Sequence, residues 1–466
     1  MVKKYDVIII GTGPSGIFTA LELAGRGYNL KIAMFEKGVT LQKRTCPLQE
    51  GASSCINCKP CSVISGWGGA GAFSDGKLTL SPDVGGMLDK YLSPEDLLGL
   101  IKYVDDIFVK FGAPEKVYGL DREEEIDALR RKAVLAQLRL VPAPVRHMGT
   151  GRTKDVLEGM LEELVKYGVD IYFQEAVDRI LVRDDTVFGI TTKRGDEYHA
   201  SFVVCAPGRD GAEWLTAESR RLGLSRAVNP VDVGVRVEVP AEVMSHITDI
   251  VYESKFIFYS RTFDDQVRTF CMNPYGAVVQ ENMDGLTTVN GHTHADQKTQ
   301  NTNFALLVSK NFTEPFKEPI AYGQYIAHLA NLLGGGVLVQ RLGDLIAGRR
   351  TTVDRLAKSM LVPTLKEATP GDLSLVFPYR HLVGIMEMLQ ALDVVAPGIY
   401  SKYTLLYGVE VKFYSSRLKV NKNLETKIAN LYGAGDGAGI TRGLIQASIS
   451  GVVVARSIAE KIGCPN

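Results

Sequence analysis

Val7-Ile8-Ile9-Ile10 is an unbroken apolar run rich in β-branched residues, the pattern of a strand covered on both faces. Helical spacing follows from about Gly13 to Ala24 and is closed by Gly25 and Gly27; a second strand, Lys31 to Glu36, completes a βαβ unit. From Thr40 to Leu80 the periodicity gives way to cysteines and glycines. Ser93 and Pro94 then open a helix as N-cap and first residue. Leu97, Ile101, Val104, Phe108 and Phe111 share its apolar face, and Gly112 ends it. A polar helix is expected from Glu123 to Leu138. Thr153 is expected to cap another, carrying Val156, Met160, Leu161 and Leu164, which Gly168 stops before a strand from Val169 to Phe173. From about Arg226 to Asn290 the pattern alternates as strands do, most clearly over Val231 to Val237. Helical spacing returns from Tyr322 to Leu333 and from Leu382 to Leu392.

Composition narrows the class. Lys and Arg total 53 and Asp and Glu total 53, a balance that argues against a protein tracking nucleic-acid phosphates. No apolar run approaches the ~18 residues of a membrane span, and no signal peptide is visible, so the expected location is cytoplasmic. At ~150 residues per domain, 466 residues suggest about three units. With no repeat and no low-complexity linker, interleaved domains are expected rather than separate beads.

Gly11-Thr12-Gly13-Pro14-Ser15-Gly16 matches the G-x-G-x-x-G fingerprint. Gly66 to Gly71 and Gly433 to Ala438 match similar patterns, but only the first copy has a strand before it, a helix after it and an acid, Glu36, twenty residues on. Glycines there let the backbone approach a pyrophosphate, whose charge meets the helix N-terminus, while Glu36 can accept from ribose hydroxyls. Lys37 and Arg44 follow closely and join the candidate contacts.

The C-terminal run Leu431-Tyr432-Gly433-Ala434-Gly435-Asp436-Gly437-Ala438-Gly439, with a helix expected from about Thr441, resembles the closing motif of the glutathione-reductase-type FAD domain. The resemblance implies FAD, with Asp436 on the ribityl chain, Gly435, Gly439, Thr441 and Arg442 around it, and the helix start facing the flavin. Phe202 to Gly208 resembles that family's middle strand and turn. Glu175-Ala176-Val177 falls where its members hold adenine through backbone groups, which places Val177 among the cofactor contacts.

Longer segments resemble a family of largely uncharacterised FAD-dependent dehydrogenases: Cys58 to Cys61, Gly66 to Leu78, Thr269 to Gly276, Val289-Asn290-Gly291 and Tyr407 to Glu410. The resemblance implies an α/β fold, with a discontinuous Rossmann-type FAD-binding domain and an inserted α+β substrate domain. The FAD domain is expected in 1–80, 146–225 and 396–466, with a mainly helical insertion at 81–145 and the substrate domain at 226–395. The expected activity is that of an FAD-dependent oxidoreductase moving a hydride between flavin N5 and a small organic substrate. Two alternatives stay open: an electron-transfer flavoprotein passing electrons through a cysteine-ligated cluster to a redox partner protein, and a flavin-dependent RNA-modification enzyme, which the neutral charge disfavours. One departure matters: relatives often carry Cys-Met-Cys-Pro where this chain has Cys271-Met272-Asn273-Pro274, so a cysteine pair is not available there.

The candidate chemistry falls in four groups. Gly69, Ala70, Ser74, Asp75 and Lys77 lie where this fold brings a loop to the isoalloxazine, and Lys77 is also a catalytic candidate, since a nearby cation raises flavin potential. Cys46, Cys55, Cys58 and Cys61 supply four thiolates for a [4Fe–4S] cluster or zinc, or stay metal-free. Cys271, His292 and His294 are the remaining catalytic candidates; an i, i+2 histidine pair on a strand points both rings one way. Arg349, Arg350, Arg380 with His381, and Arg442 could clamp a carboxylate, surface charge being the plainer reading for all but Arg442.

Overall fold

The βαβ unit forms where the apolar runs place it. β1 (Lys3–Ile10) enters a glycine turn, α1 (Pro14–Gly25) follows, and β2 (Ile32–Glu36) returns parallel to β1. The computed structural model describes residues 2–47, 56, 58–74, 76–141, 143–227, 229–283, 285–293, 298–310, 318–412 and 416–463. Cys55, Asp75 and His294 therefore lie outside the described residues.

Two units divide the chain, one built from 1–116, 146–228 and 415–466, the other from 117–145 and 229–414. In the first, the parallel strands run in the order Asp170–Phe173, β2, β1, Glu197–Cys205, and the last also pairs in parallel with Leu431–Gly433. An antiparallel pair, Val177–Arg183 and Thr186–Thr192, attaches to the other end of Glu197–Cys205. This is a Rossmann-type sheet whose last parallel strand comes from the C-terminus. α1 and the C-terminal helix, Leu444–Lys461, lie against each other, with Ile17, Phe18, Ile449, Val452 and Ala455 buried in one core.

The second unit is an eight-stranded, mainly antiparallel sheet. Its order is Thr369–Pro370, Leu338–Arg341, Leu405–Lys412, Val231–Pro240, Asn301–Lys310, Gln266–Asn273, Lys255–Tyr259 and Arg139–Val141. Helices Glu123–Leu135, Pro319–Gly334 and Tyr379–Val395 add Leu129, Ala327 and Met388 to its core. A separate hairpin pairs Ala277–Met283 with Leu286–His292.

Four expectations change. The stretch 81–145 is not one insertion: helix Pro94–Lys110 buries Leu97, Ile101 and Val104 in the first core, whereas Glu123–Leu135 buries Ile126 and Leu129 in the second. Likewise 396–414 supplies strand Leu405–Lys412 to the second unit, not to the first. Helical spacing shows which face is buried, not which core receives it. Thr153 does not cap its helix, which spans Thr150–Lys166 with Gly149 at the N-cap; the Thr153 hydroxyl donates to the Gly149 carbonyl at 2.8 Å from inside the first turn. The C-terminal helix begins at Leu444, three residues later than expected, because Thr441 and Arg442 are held extended against Gly85 and Gly86.

Candidate functional site

In the first unit the parallel strands β1, Glu197–Cys205 and Leu431–Gly433 end together, and the turns that leave them carry the motifs. Gly11 has φ 101, and a Cβ there would stand 2.2 Å from the Ala206 carbonyl oxygen, so only glycine admits the two turns side by side. Gly435 lies against Ser15, and its N–H donates to Ser450 Oγ at 3.1 Å. Ser15 Oγ in turn sits 3.2 Å from Ser450 Oγ and donates to the Ala447 carbonyl at 2.8 Å. The Asp436 turn is thereby fastened to the start of α1. Gly208, Gly437 and Gly69 complete the gathering: Gly437 packs on Gly208 and Gly69 on Gly13.

The α1 N-terminus is left open for an anion. Gly13 offers no side-chain cap, the first turn holds no acidic residue, and a Cβ on Gly13 would meet nothing within 4 Å. Thr441 Oγ1 donates to Asp436 Oδ1 at 2.8 Å, the one side-chain hydrogen bond to this carboxylate among the described residues. Burial raises its carboxyl above the ordinary value, against the pull of Arg209, Thr441 and Arg442. These features fit a dinucleotide with a polyol chain beside it.

Other predicted contacts are spent on the protein itself. Glu36 is buried and accepts four hydrogen bonds: Oε2 from Thr12 N and Oγ1 at 3.1 and 2.9 Å, Oε1 from Gly38 N and Gly66 N at 2.8 and 3.0 Å. A ribose hydroxyl would share those oxygens rather than find them free. Arg44 departs further from expectation. Its guanidinium donates to the carbonyls of Ser62, Val63, Trp67 and Gly69 at 2.6 to 2.9 Å, and burial lowers its pKa to about 10. It clamps the glycine loop over α1. Lys37 pairs with Asp210 at 2.5 Å, Ser74 caps its own turn through the Gly71 carbonyl, and Val177 is buried where its strand begins, two residues past Glu175, whose N–H reaches the Glu36 carbonyl. Ala70 lies in a short helical turn, Gly69–Phe73, and Lys77 opens the strand Lys77–Thr79. Trp67 is packing: fully buried, its Nε1 donates to the Leu157 carbonyl at 2.7 Å.

Of the four cysteines, Cys55 lies outside the described residues. Among the described residues no three His, Cys, Asp or Glu side chains gather for a metal, and Cys46, Cys58 and Cys61 are free thiols.

The second unit contains a cluster that sequence reading touched only at its edges. Arg236 is fully buried on the central strand Val231–Pro240. It makes a bidentate pair with Glu410 at 2.8 and 3.0 Å and donates to the Cys271 carbonyl, Asn303 Oδ1 and Asn290 Oδ1 at 3.0, 2.9 and 3.2 Å. Lys412 adds a second cation on Glu410 at 2.8 Å. Two register shifts lie near this centre, one between Gly234 and Arg236 against Leu405–Lys412, the other between Phe270 and Asn273 against Asn301–Lys310. The second holds Cys271 at φ 46, half-buried, with Asn273 Nδ2 donating to its carbonyl at 3.0 Å. Three of the segments that carried the resemblance, around Cys271, Asn290 and Glu410, thus converge on one guanidinium. His292 ends its hairpin strand. Arg349 and Arg380 are committed to Asp344 and Asp265, so neither is a free clamp. Val231 to Val237 gives the clearest alternation of strand type, and the strand that forms is Val231–Pro240. Both its faces are covered, so Asp232, Arg236 and Glu238 are all buried and all paired. Charges spaced by valines on a central strand were the available signal.

Residues 230–413 match the model of a family described as FAD-dependent protein, C-terminal domain-like. An uncharacterised protein of Clostridium beijerinckii is 28% identical over 490 residues, covering 99% of this chain and 82% of its own. Among solved structures, glycine oxidase from Geobacillus kaustophilus aligns over 98% of this chain and 95% of its own at 15% identity and TM-score 0.39. L-proline dehydrogenase from P. horikoshii aligns over 99% and 95% at 13% identity and TM-score 0.39. Those scores are too low for a substrate or mechanism to pass from these enzymes to this chain. Among the described residues, no helix is long and apolar enough to cross a membrane.

Proposed function

We propose that this chain is an FAD-dependent oxidoreductase that exchanges a hydride with a small organic substrate. The observation that carries the reading is the seating of the Asp436 turn on the start of α1 through Gly435, Ser15 and Ser450, which joins two motifs from opposite ends of the chain. The family match over residues 230–413 supports the same cofactor.

FAD, when bound, supplies two-electron chemistry at its N5. The chain's part is to hold it. The first-turn N–H groups of α1, which have no partner within the helix, would meet the pyrophosphate, and the open space at Gly13 would let it approach. Asp436 would accept from a ribityl hydroxyl, with Thr441 fixing the carboxylate's orientation. Glu36 would add the ribose to the hydrogen bonds it already accepts.

Gly13→Val is the test. Gly13 has φ −75 and empty surroundings, so a side chain there leaves the fold intact while filling the space for a pyrophosphate. Wild-type protein should purify with, or take up, one FAD, seen by absorption and by extraction of the flavin. Gly13→Val should melt as the wild type melts without cofactor and hold no flavin. A wild-type chain that binds no flavin, or a Gly13→Val chain that binds it as well as wild type, would overturn the assignment.

A further inference from the structure

Helix Pro319–Gly334 of the second unit turns Ile326, Ala327 and Ala330 into the core, and residues of its opposite face are exposed. On that face Tyr325 is 76% exposed, Leu329 37%, Leu332 75% and Leu333 46%. Their spacing of i, i+4, i+7 and i+8 makes one stripe along the helix, continued by the exposed Gln324 and His328. A contiguous apolar stripe on a protein surface marks a contact that is made elsewhere.

We infer that this stripe is an interface through which two copies of the chain pair about a two-fold axis. Charge selects the occupant. Between Pro319 and Gly334 there is no Asp, Glu, Lys or Arg. In a two-fold contact each surface meets its own image, so a charge placed near the axis faces a like charge. A helix with no formal charge on it is free of that conflict, and the same apolar stripe complements itself. A helix lying on a bilayer carries Lys and Arg along its polar face to meet headgroups, and this one carries neither. A partner selected by electrostatic complementarity would have nothing here to read.

Sedimentation velocity of the full chain loaded with FAD, over a wide dilution series, reads the proposal directly. The wild type should move from the 50.9 kDa chain mass toward twice that mass as concentration rises. Backbone amides of residues 319–334 should exchange more slowly at the concentrated end. Tyr325→Glu with Leu332→Glu should sediment as the single chain throughout, with flavin content and melting temperature unchanged. Tyr325→Gln with Leu332→Gln serves as the milder pair should the charged variant fold poorly, and it should weaken pairing in the same direction. A wild type that stays at the single-chain mass at every concentration overturns the inference, as does an unaltered dimer in a folded variant. Flotation with neutral phosphatidylcholine vesicles by a single-chain wild type, lost in the variants, would assign the stripe to a bilayer and overturn it too.

Discussion

Ser15 and Ser450, 435 positions apart, face each other with their hydroxyl oxygens 3.2 Å apart where α1 crosses the C-terminal helix. The approach is possible because Gly451 has no side chain. A Cβ there would stand 2.2 Å from the Ser15 carbonyl oxygen and 2.9 Å from the Thr19 N, both backbone atoms that cannot swing aside. Gly451→Ala should therefore force the helices apart and cost about 1–3 kcal/mol, the usual range for overpacking. Because Gly435 hangs from Ser450, the Asp436 turn should move with it, and FAD affinity should fall together with the melting temperature. Thermal melts with and without added FAD check this; a variant as stable as wild type would show that the crossing is looser than described.

Arg236 and Glu410 make a buried pair that is expensive to break on one side and cheap to replace whole. Arg236→Met leaves the buried Glu410 with Lys412 as its remaining cation, and Glu410→Gln leaves the buried Arg236 with neutral acceptors alone, so either single change should destabilise by about 3–5 kcal/mol. Arg236→Met with Glu410→Met should lose less than the two singles added, since the charges leave together. The residual loss then belongs to the carbonyl of Cys271, Asn303 and Asn290, which Arg236 also serves. Denaturant titrations of the three variants measure the coupling, and strict additivity would mean the pair does not act as one.

Asp436 trades stability for binding. Its carboxyl is raised in the folded chain by burial, so the folded state prefers the proton more than the unfolded chain does. That preference contributes stability below the ordinary carboxylate value of 3.8 and is lost as pH rises through the raised one. At neutral pH the ionised group is a cost to the cofactor-free protein. Asp436→Asn should thus melt higher than wild type without FAD, while binding FAD more weakly because an amide is a poorer acceptor for a hydroxyl. Melting curves near pH 4 and pH 7, with and without FAD, separate the two effects, and a lower cofactor-free melting temperature in the variant would contradict them.

How much of this was legible depended on whether the signal was local. The βαβ unit could be read because β1, α1, β2 and Glu36 lie within one short stretch and obey one geometry. The C-terminal turn could be read because Gly435 and Asp436 sit in a patterned run. The Arg236 cluster could not. Its members come from five strands, and nothing near Arg236 in the sequence announces Glu410, 174 positions away. The commitment of Arg44 to four loop carbonyls was hidden for a related reason: carbonyls carry no letter in the sequence. Glu36 was found, but its existing partners, three of them backbone N–H groups, were invisible for the same cause.

His381 lies in the first turn of helix Tyr379–Val395, 1% exposed, and neither ring nitrogen has a hydrogen-bond partner among the described residues. Burial holds its pKa down to about 4, reinforced by Lys310 and Arg380 and opposed by Asp265. The unfolded chain takes up a proton near 6.5 while the folded chain refuses it until about 4. Stability is therefore full above about pH 6.5 and drains as pH falls toward 4, by about 3 kcal/mol if this group acts alone. His381→Leu removes both the proton linkage and two unsatisfied buried nitrogens, each of which carries a desolvation cost of about 1 kcal/mol or more. The variant should be at least as stable as wild type at pH 7 and clearly more stable at pH 4.5. Urea titrations at the two pH values decide it: an equal loss on acidification in both proteins would move the acid sensitivity to another group.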